Sequence, residues 1–476
     1  MPKPANLRSP LTAASIPDPT PVLFLAVLTV VLIWSTETNG ATAMLVTAAM
    51  VVPVAVYLLS KSAMASIITL VVAAAMPRLY VEIGGLKARP EHMVAGLLLV
   101  ALLFALKKRQ EPVRWIVADY FLLAYIVMNL VSSLFFSVAP MQTIKWAMQQ
   151  VLVILPYFFL RLLIVGADAF RRAFQMVLLV GALEAAYALI CFYSHLLLGT
   201  SFGMTVDQYD AAPGTYGTQF EANILGAYCG ANAIMMLAMY LKQPCRKYLL
   251  GFAVTAAAMA ISLSRAVLMA TAFVFVVLLV YGLWTRLMTR RALTSIAATV
   301  LGVALFLAPV LVPIYIDRFN TLEVADITTD DTARARLLPI AISWDDVLLH
   351  PIAGNGTSSF QLMFDYSVVD PSVEAGWIGN TEMRVLHDTG ALGLGSFLLF
   401  LLALFFGGRK ILKRKSNPEL TALLFAGLIY GISYQATEGT LLAFTWVHLG
   451  LIGCALAVFK WSNQPAEQNA GEITAA

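Results

Sequence analysis

Arg265 is the residue whose type and position most clearly suggest a chemical role, because it lies between two apolar runs in the stretch ISLSRAVLMATAFVFVVLLV (261–280). An arginine at the edge of a lipid hydrocarbon core is costly unless it reaches the interface or meets an anionic partner. Arg265 is therefore an interface anchor, a partner for a nearby acid, or a clamp for a phosphate group.

Two more arginines, Arg334 and Arg336, lie in a long polar stretch whose balance is acidic. The simplest interpretation is that they pair with those acids. Arg265 and Arg336 together would instead present two planar, permanently charged donor forks on one face of the membrane. Such forks suit the capture of a diphosphate at head-group depth. Spacing alone does not choose between these interpretations.

Other polar residues interrupt the apolar runs and are expected to face the interior of a helix bundle, because they are costly in lipid. Arg161 and Glu184 fall on consecutive runs and are predicted to form a structural ion pair. Glu438, beside Gly439, is a candidate carboxylate for an acceptor site. The remaining residues of this kind are Asn129, His195, Asn223, Gln435 and His448.

The composition indicates what kind of fold must position these residues. Of 476 residues, 60% are hydrophobic and 12% are charged, and the mean hydropathy is +0.81. Soluble globular domains carry about 25% charged residues, so that class is excluded. The net charge of +4 is too small to indicate a nucleic-acid partner, and the four cysteines lack metal-ligand spacing.

About 14 apolar runs of roughly 15–25 residues predict an all-α fold, a polytopic membrane helix bundle with about 12–14 transmembrane helices. Clusters of Lys and Arg accumulate on the cytoplasmic side of a membrane, and under strict alternation those of this chain fall on one side. The predicted domains are a cytoplasmic N-terminal tail (1–20), a transmembrane bundle (21–316), a large external loop (317–387), C-terminal transmembrane helices (388–460) and a cytoplasmic tail (461–476).

The large external loop is predicted to contain an amphipathic helix that lies on the membrane surface. The sequence Asp330-Asp331-Thr332 forms a helix start, and helical spacing then relates Leu337, Ala341, Trp344 and Leu348. The dipeptide at 350–351, His-Pro, ends this helix, and the turn-forming sequence GNGTSSF (354–360) follows. Because long loops usually carry a function, we expect the chemistry of the protein on the outer face.

Four segments of the chain, taken in order, form a pattern of polar motifs at the starts of apolar runs. The first is GTYGTQFEANILGAY (214–228), with Phe220 and Asn223, and the second is SLSR (262–265), with Ser264 and Arg265. The third is RLLPIAISWDDVLLHPIAGNGTSSF (336–360), with Arg336, Pro351, Gly354, Gly356 and Phe360. The fourth is NTEMRVLHDTGALGLGSFLLFLL (380–402), with Asn380, Leu386, Gly390 and Gly393. Together these segments resemble the O-antigen ligase and polymerase superfamily of bacterial inner-membrane glycosyltransferases.

Members of this family join glycans carried by undecaprenyl diphosphate, so the resemblance implies a glycosyltransferase acting on the periplasmic face of the inner membrane. It implies that an acceptor hydroxyl attacks the anomeric carbon while Arg265 and Arg336 stabilise the departing diphosphate. Substrate binding is expected from Arg334, Asn223, Asn380 and Glu438. No cofactor or metal is implied. The implied partners are the undecaprenyl-diphosphate-linked oligosaccharide, a glycan or lipid A-core acceptor, a chain-length regulator and membrane lipid, without nucleic acid.

One departure from the family pattern bears on which branch this chain resembles. Ligases typically carry His-Asn at the start of the span after the large loop, whereas this chain has Gly379-Asn380. Because Gly379 offers no proton acceptor, there are two possibilities. Either Glu382 or His387, followed by Asp388, supplies the catalytic base, or catalysis depends mainly on leaving-group stabilisation and positioning, and we favour the second. We expect a polymerase of O-antigen or exopolysaccharide repeat units. The alternatives are an O-antigen ligase acting on lipid A-core and, from another class, a lipid-linked sugar transporter or flippase.

Overall fold

The computed structural model describes residues 62–78, 80–83, 86–108, 114–204, 214–324, 331–363, 377–414 and 416–461. Within them lies one antiparallel hairpin of β1 (Val81–Ile83) and β2 (Leu86–Ala88). The described helices are α1 (Ala63–Ala74), α2 (Pro90–Lys108), α3 (Val117–Phe135), α4 (Pro140–Leu163), α5 (Ala167–Leu198), α6 (Ala222–Lys242), α7 (Arg246–Ile261), α8 (Arg265–Trp284), α9 (Arg290–Val324), α10 (Asp331–Val347), α11 (Phe360–Met363), α12 (Thr381–Arg414), α13 (Pro418–Ser433) and α14 (Ala443–Trp461).

The chain is an all-α, multi-pass membrane protein, as predicted. Seven of the described helices are long and apolar enough to cross a membrane: α3, α4, α5, α6, α8, α9 and α12. Further apolar helices in α1, α2, α13 and α14 continue the bundle. The apolar runs predicted at about 21–34 and 40–59 and both predicted cytoplasmic tails fall outside the described residues, apart from Trp461 at the end of α14. The total of about 12–14 spans therefore stays a prediction.

The bundle has two chemically different ends. The polar end contains the starts of α2, α6, α8 and α12, where the N–H of Thr381 donates to the carbonyl of Tyr434 at 3.1 Å. At the other end, here called the basic end, Lys242 Nζ donates to Ser416 Oγ at 3.0 Å. The basic clusters predicted to share one side lie there, among them 171–172, 246–247, 290–291 and 409–410.

Helix α6 is the central element of the bundle, and each of its residues from Ile224 to Leu241 is buried. Its small residues let neighbouring helices approach closely. A Cβ added at Gly226 would lie 2.6 Å from Ser262 Oγ, and one at Gly230 would lie 2.6 Å from Thr271 Oγ1. In a membrane, where lipid is as apolar as a leucine side chain, such close packing is a main source of helix association.

The polar segment between α9 and α12 is shorter than the predicted loop 317–387, because α9 continues to Val324 and α12 begins at Thr381. Helix α10 corresponds to the predicted amphipathic helix and packs against α12. Its buried face includes Ser343 and Val347, whereas Leu337, Trp344 and Leu348 of the predicted apolar stripe are exposed. An exposed apolar stripe is typical of a helix that rests on a lipid surface.

The predicted ion pair between Arg161 and Glu184 is wrong. Arg161 Nη2 lies 2.9 Å from Asp119 Oδ2. Glu184 instead accepts hydrogen bonds from the N–H and Oγ1 of Thr218, both at 2.8 Å. The reason is geometric: Arg161 is in the last turn of α4 at the basic end, whereas Glu184 lies about 25 Å along α5 from its start at Ala167.

Candidate functional site

A buried arginine that the sequence analysis did not predict lies at the polar end. Arg384, in the first turn of α12, is 3% exposed. Its Nη1 lies 2.8 Å from Glu438 Oε1, and its Nε lies 3.4 Å from Asp388 Oδ2. Its Nη2 donates to Ser358 Oγ at 3.2 Å. The guanidinium therefore joins α12 to the connection between α13 and α14 and to the loop that follows α10.

His387 lies between two carboxylates. Its Nδ1 is 3.1 Å from Asp388 Oδ1, and its Nε2 is 3.3 Å from Asp346 Oδ2. The His387 side chain is fully buried, whereas the side chain of Asp346 is 19% exposed. Five ionisable side chains thus follow one another in contact, and we call them the ionic chain: Glu438, Arg384, Asp388, His387 and Asp346.

Two glycines allow the loop after α10 to pack backbone against backbone on α12. Gly390 interrupts the helix with φ 65° and ψ −171°, and Gly354 has φ +78°. A Cβ added at Gly354 would lie 2.5 Å from the backbone of Asp388 and Gly390, and one at Gly390 would collide with the backbone of Ile352. Both positions require glycine for the left-handed φ and for the close approach.

The same interruption supplies hydrogen-bond donors that hold the loop. The second part of α12 begins after Gly390, so its first N–H groups have no partner within the helix. Ala391 N–H donates to the carbonyl of Pro351 at 2.9 Å, and Leu392 N–H donates to the carbonyl of Ile352 at 3.2 Å. The position of the loop is therefore set by the helix that carries the ionic chain.

Helix α3 binds the loop from the other side. Ser132 Oγ accepts from the N–H of Gly356 at 2.9 Å and donates to the carbonyl of Asp388 at 2.6 Å. Ser133 Oγ accepts from the N–H of Thr357 at 2.9 Å. Hydroxyls of α3 thus connect the glycine loop to the backbone of the ionic chain. Asn129, predicted only to face the bundle interior, is buried there and accepts from Thr357 Oγ1 at 3.2 Å.

Glu438 is held by more than Arg384. Its carboxylate accepts hydrogen bonds from the N–H and hydroxyl of Thr440. A second buried arginine, Arg89, approaches the same connection and donates to the carbonyl of Leu441 at 3.1 Å, with its Nε 3.0 Å from Glu91. Burial lowers the pKa of Arg89, and the charges of Glu91 and Glu438 offset this lowering only in part. The predicted acceptor-site carboxylate Glu438 is therefore already occupied by protein donors.

Asn380 and Glu382 organise the start of α12. The side-chain oxygen of Asn380 accepts from the N–H of Met383 at 2.8 Å, which caps the helix, and its Nδ2 donates to Gln435 Oε1 at 3.0 Å. Gln435 Nε2 donates to Glu382 Oε1 at 2.8 Å. Gln435 is exposed in the α13–α14 connection, so it does not lie inside a span as predicted. The polar atoms of Asn380 are used by these contacts.

The other predicted site residues begin helices at the same end. Arg265 is the first residue of α8 and Asn223 the second of α6, and both are half-buried. The described contacts of the ionic chain include neither. Arg334 and Arg336 lie in the first two turns of α10, but their side chains fall outside the described part of the structure. The proposed pairing of Arg265 with Arg336 on one diphosphate therefore stays a prediction.

One feature of the sequence indicates part of the ionic chain. Arg384, His387 and Asp388 recur at helical spacing within a segment that continues into an apolar run, and such a stripe predicts a buried polar face. Asp346 carried no comparable signal, because it was one acid among many in the polar stretch. Its partner His387 lies 41 residues away in the sequence.

The charges of the ionic chain indicate what it can do. Three carboxylates surround one guanidinium and one imidazole, so the chain is unfavourable for a phosphate and suited to accepting a proton or orienting a hydroxyl. Within the described residues, no group of three or more His, Cys, Asp or Glu side chains is arranged to hold a metal ion. Phosphate recognition would have to come from arginines outside the chain.

No protein-family model matches this chain, and no curated protein matches it.

Proposed function

We propose that this protein is a glycosyltransferase of the O-antigen ligase and polymerase superfamily that polymerises undecaprenyl-diphosphate-linked repeat units of O-antigen or exopolysaccharide. The reaction would take place at the polar end of the bundle, on the periplasmic face of the bacterial inner membrane. The donor is already activated by its diphosphate, so the protein must position an acceptor hydroxyl and stabilise the leaving group.

One observation carries the proposal: segments that resemble the family, though far apart in sequence, meet at one end of the fold. The starts of α6 and α8 hold the first two segments, with Asn223 and Arg265. The third and fourth are joined directly, because the loop carrying Gly354 is bound to α12 at Gly390. A purely structural coincidence of weak motifs would not be expected to bring their glycines into reciprocal contact.

The polymerase is favoured over the ligase because Gly379 replaces the family's histidine. Asn380, its neighbour, caps α12. A lipid-linked sugar transporter is disfavoured because the polar residues concentrate at one end, whereas transporters place substrate sites near the middle of the membrane.

The test uses the purified protein in lipid nanodiscs with an undecaprenyl-diphosphate-linked repeat unit as donor and acceptor. A polymerase releases one undecaprenyl diphosphate for each linkage and extends the lipid-linked glycan. A ligase releases it only when lipid A-core is added. Unchanged donor under both conditions would reject the glycosyltransferase.

In the same assay, Arg265→Ala should lower the rate by about 10²–10³-fold, the loss typical of one group that stabilises developing charge. Arg265→Lys should recover only part of it, because an ammonium lacks the planar fork. Arg291→Ala, an exposed arginine at the basic end, is the matched control and should change the rate less than twofold. Equal rates for Arg265→Ala and the control would remove Arg265 from the site.

A further inference from the structure

We propose that Asp346 is the group that takes the proton from the acceptor hydroxyl, with His387 as the buried positioning residue behind it. The inference rests on the proposed glycosyl transfer and assigns the proton acceptor that Gly379 cannot supply. It also replaces the expectation that His387 itself meets the substrate, because the His387 side chain is fully buried.

Among the members of the ionic chain, Asp346 is the one best placed to meet a substrate. Its side chain is 19% exposed, whereas those of Arg384 and Asp388 are each 4% exposed. Glu438 is 10% exposed but accepts from Arg384 and Thr440. Proton transfer requires direct contact or a single bridging water, so exposure decides among the carboxylates.

Asn355 fixes Asp346 relative to His387. Its Nδ2 donates to the carbonyl of Asp346 at 2.9 Å, and its N–H donates to the carbonyl of His387 at 2.9 Å. Its Oδ1 lies 2.9 Å from His350 Nδ1. Asn355 thus connects the last turn of α10 to α12, so the backbone that carries Asp346 is fixed although the Asp346 side chain is partly exposed.

The charged groups around Asp346 come from α10, the loop that follows it, α12 and the α13–α14 connection. Helix α10 contributes Asp345, which is exposed, and His350 follows it in the loop. Helix α12 contributes His387, which contacts Asp346 directly, and Arg384 farther along the ionic chain. The α13–α14 connection contributes Glu438, which pairs with Arg384. Both ring nitrogens of His387 face carboxylate oxygens, and only an imidazolium donates to both. The ring thereby holds the carboxylate of Asp346 in place, with Nε2 3.3 Å from Oδ2.

The chemical step balances without a cofactor. The acceptor oxygen forms a bond to the anomeric carbon as the bond between that carbon and the diphosphate oxygen breaks, and the electron pair leaves on the diphosphate. The hydroxyl proton passes to Asp346, which returns it to water after product release. The diphosphate charge is stabilised elsewhere, by arginines such as Arg265, so the anionic chain and the leaving group need not meet.

The test compares Asp346→Asn with Asp345→Asn, which removes the same charge from the adjacent exposed residue. In the nanodisc assay, Asp346→Asn should lower kcat by about 10²–10⁴-fold with little change in KM, whereas Asp345→Asn should stay within twofold. Asp346→Glu should restore part of kcat. Wild-type transfer together with normal kcat in Asp346→Asn overturns this inference alone, whereas no transfer by the wild type rejects the proposed function.

His387→Gln tests the positioning role by the pH profile. Because only a protonated ring donates to both carboxylates, kcat/KM of the wild type should fall at high pH as the ring loses its proton, and His387→Gln should lower the rate and abolish that fall. A merely structural role would lower the rate equally at every pH, and that result would remove His387 from the assignment. Thermal unfolding of each variant reports whether the fold is retained.

Discussion

Each end of this bundle contains a buried arginine, and the surroundings of the two guanidinium groups differ. At the basic end, Arg161 lies 2.9 Å from Asp119, which also accepts from Tyr157 at 2.7 Å and from the N–H of Ile116 at 2.9 Å. This cluster joins α3 to α4. At the polar end, Arg384 pairs with two carboxylates, and its contacts continue through His387 to the surface.

The difference lies in where the contacts lead. The Asp119 side chain is 3% exposed and the Arg161 side chain 5% exposed, so the basic-end pair is closed within the protein. The ionic chain begins at Glu438, whose side chain is 10% exposed, and ends at Asp346, whose side chain is 19% exposed. A buried ion pair is by itself a packing device that costs desolvation, and continuity with solvent is what makes one a candidate for chemistry.

The largest expected difference between the two ends is the compartment each one faces. Cys245 is the exposed native thiol at the basic end, and the other three cysteines are buried. Trp377→Cys, made with Cys245→Ser, gives an exposed probe at the polar end. In intact spheroplasts, an impermeant maleimide should label Trp377→Cys and should label native Cys245 only after lysis. The reverse pattern would place the site in the cytoplasm and contradict the periplasmic reaction.

The next largest effect should come from removing each arginine. Arg161→Ala and Arg384→Ala both leave buried carboxylates without their cation, which should destabilise the fold by about 3–5 kcal/mol in each case. The midpoint of thermal unfolding should therefore fall in both. Only Arg384→Ala should also abolish transfer per folded molecule, because only Arg384 belongs to the ionic chain.

Arg384→Lys and Arg161→Lys provide the matched controls, since each keeps the charge and recovers part of the stability. If Arg161→Ala lowers transfer per folded molecule as much as Arg384→Ala, the division into a structural end and a functional end is wrong.

The sequence predicted the fold better than it predicted the site, for physical reasons. Apolar runs and basic clusters are local features, so the helices and the sorting of basic residues to one end followed from them. Side-chain pairing is not local. Arg161 pairs with Asp119, 42 residues earlier in the chain. The direction of each helix decides which residues lie at the same depth in the bundle and can therefore pair.

The same limit applies to the predicted site residues. His387 was predicted as a base from its type and position, but its burial depends on α10 packing over it, which no spacing within α12 reveals. Asn380 was predicted from the family resemblance to bind substrate, and the structure uses its side chain to cap α12 and contact Gln435. Gly354 and Gly390 were identified as motif residues, and their reciprocal contact required the three-dimensional structure.

The smallest effect should come from loosening the contact between α12 and the loop after α10. Alanine substitutions at three glycines distinguish loss of this contact from a general change in helix stability. Gly390→Ala places a methyl group against the backbone of Ile352 at a left-handed φ, which costs roughly 1–2 kcal/mol for the φ alone. Gly354→Ala places a methyl group against the backbone of Asp388 and Gly390, on the other side of the same contact. Gly395→Ala, in the same helix with no atom within 4 Å of the added Cβ, should be neutral or stabilise by roughly 0.5–1 kcal/mol.

We therefore expect Gly354→Ala and Gly390→Ala to lower the midpoint of thermal unfolding and to reduce kcat, because the loop carries Asn355, which holds Asp346 against His387. Gly395→Ala should leave kcat unchanged and keep or raise the midpoint. The double variant Gly354→Ala/Gly390→Ala sharpens the comparison. Because both methyl groups disturb one contact, its loss of stability should be less than the sum of the two single losses. Additive losses would mean that the two glycines act independently and that the loop is not held by a single interface.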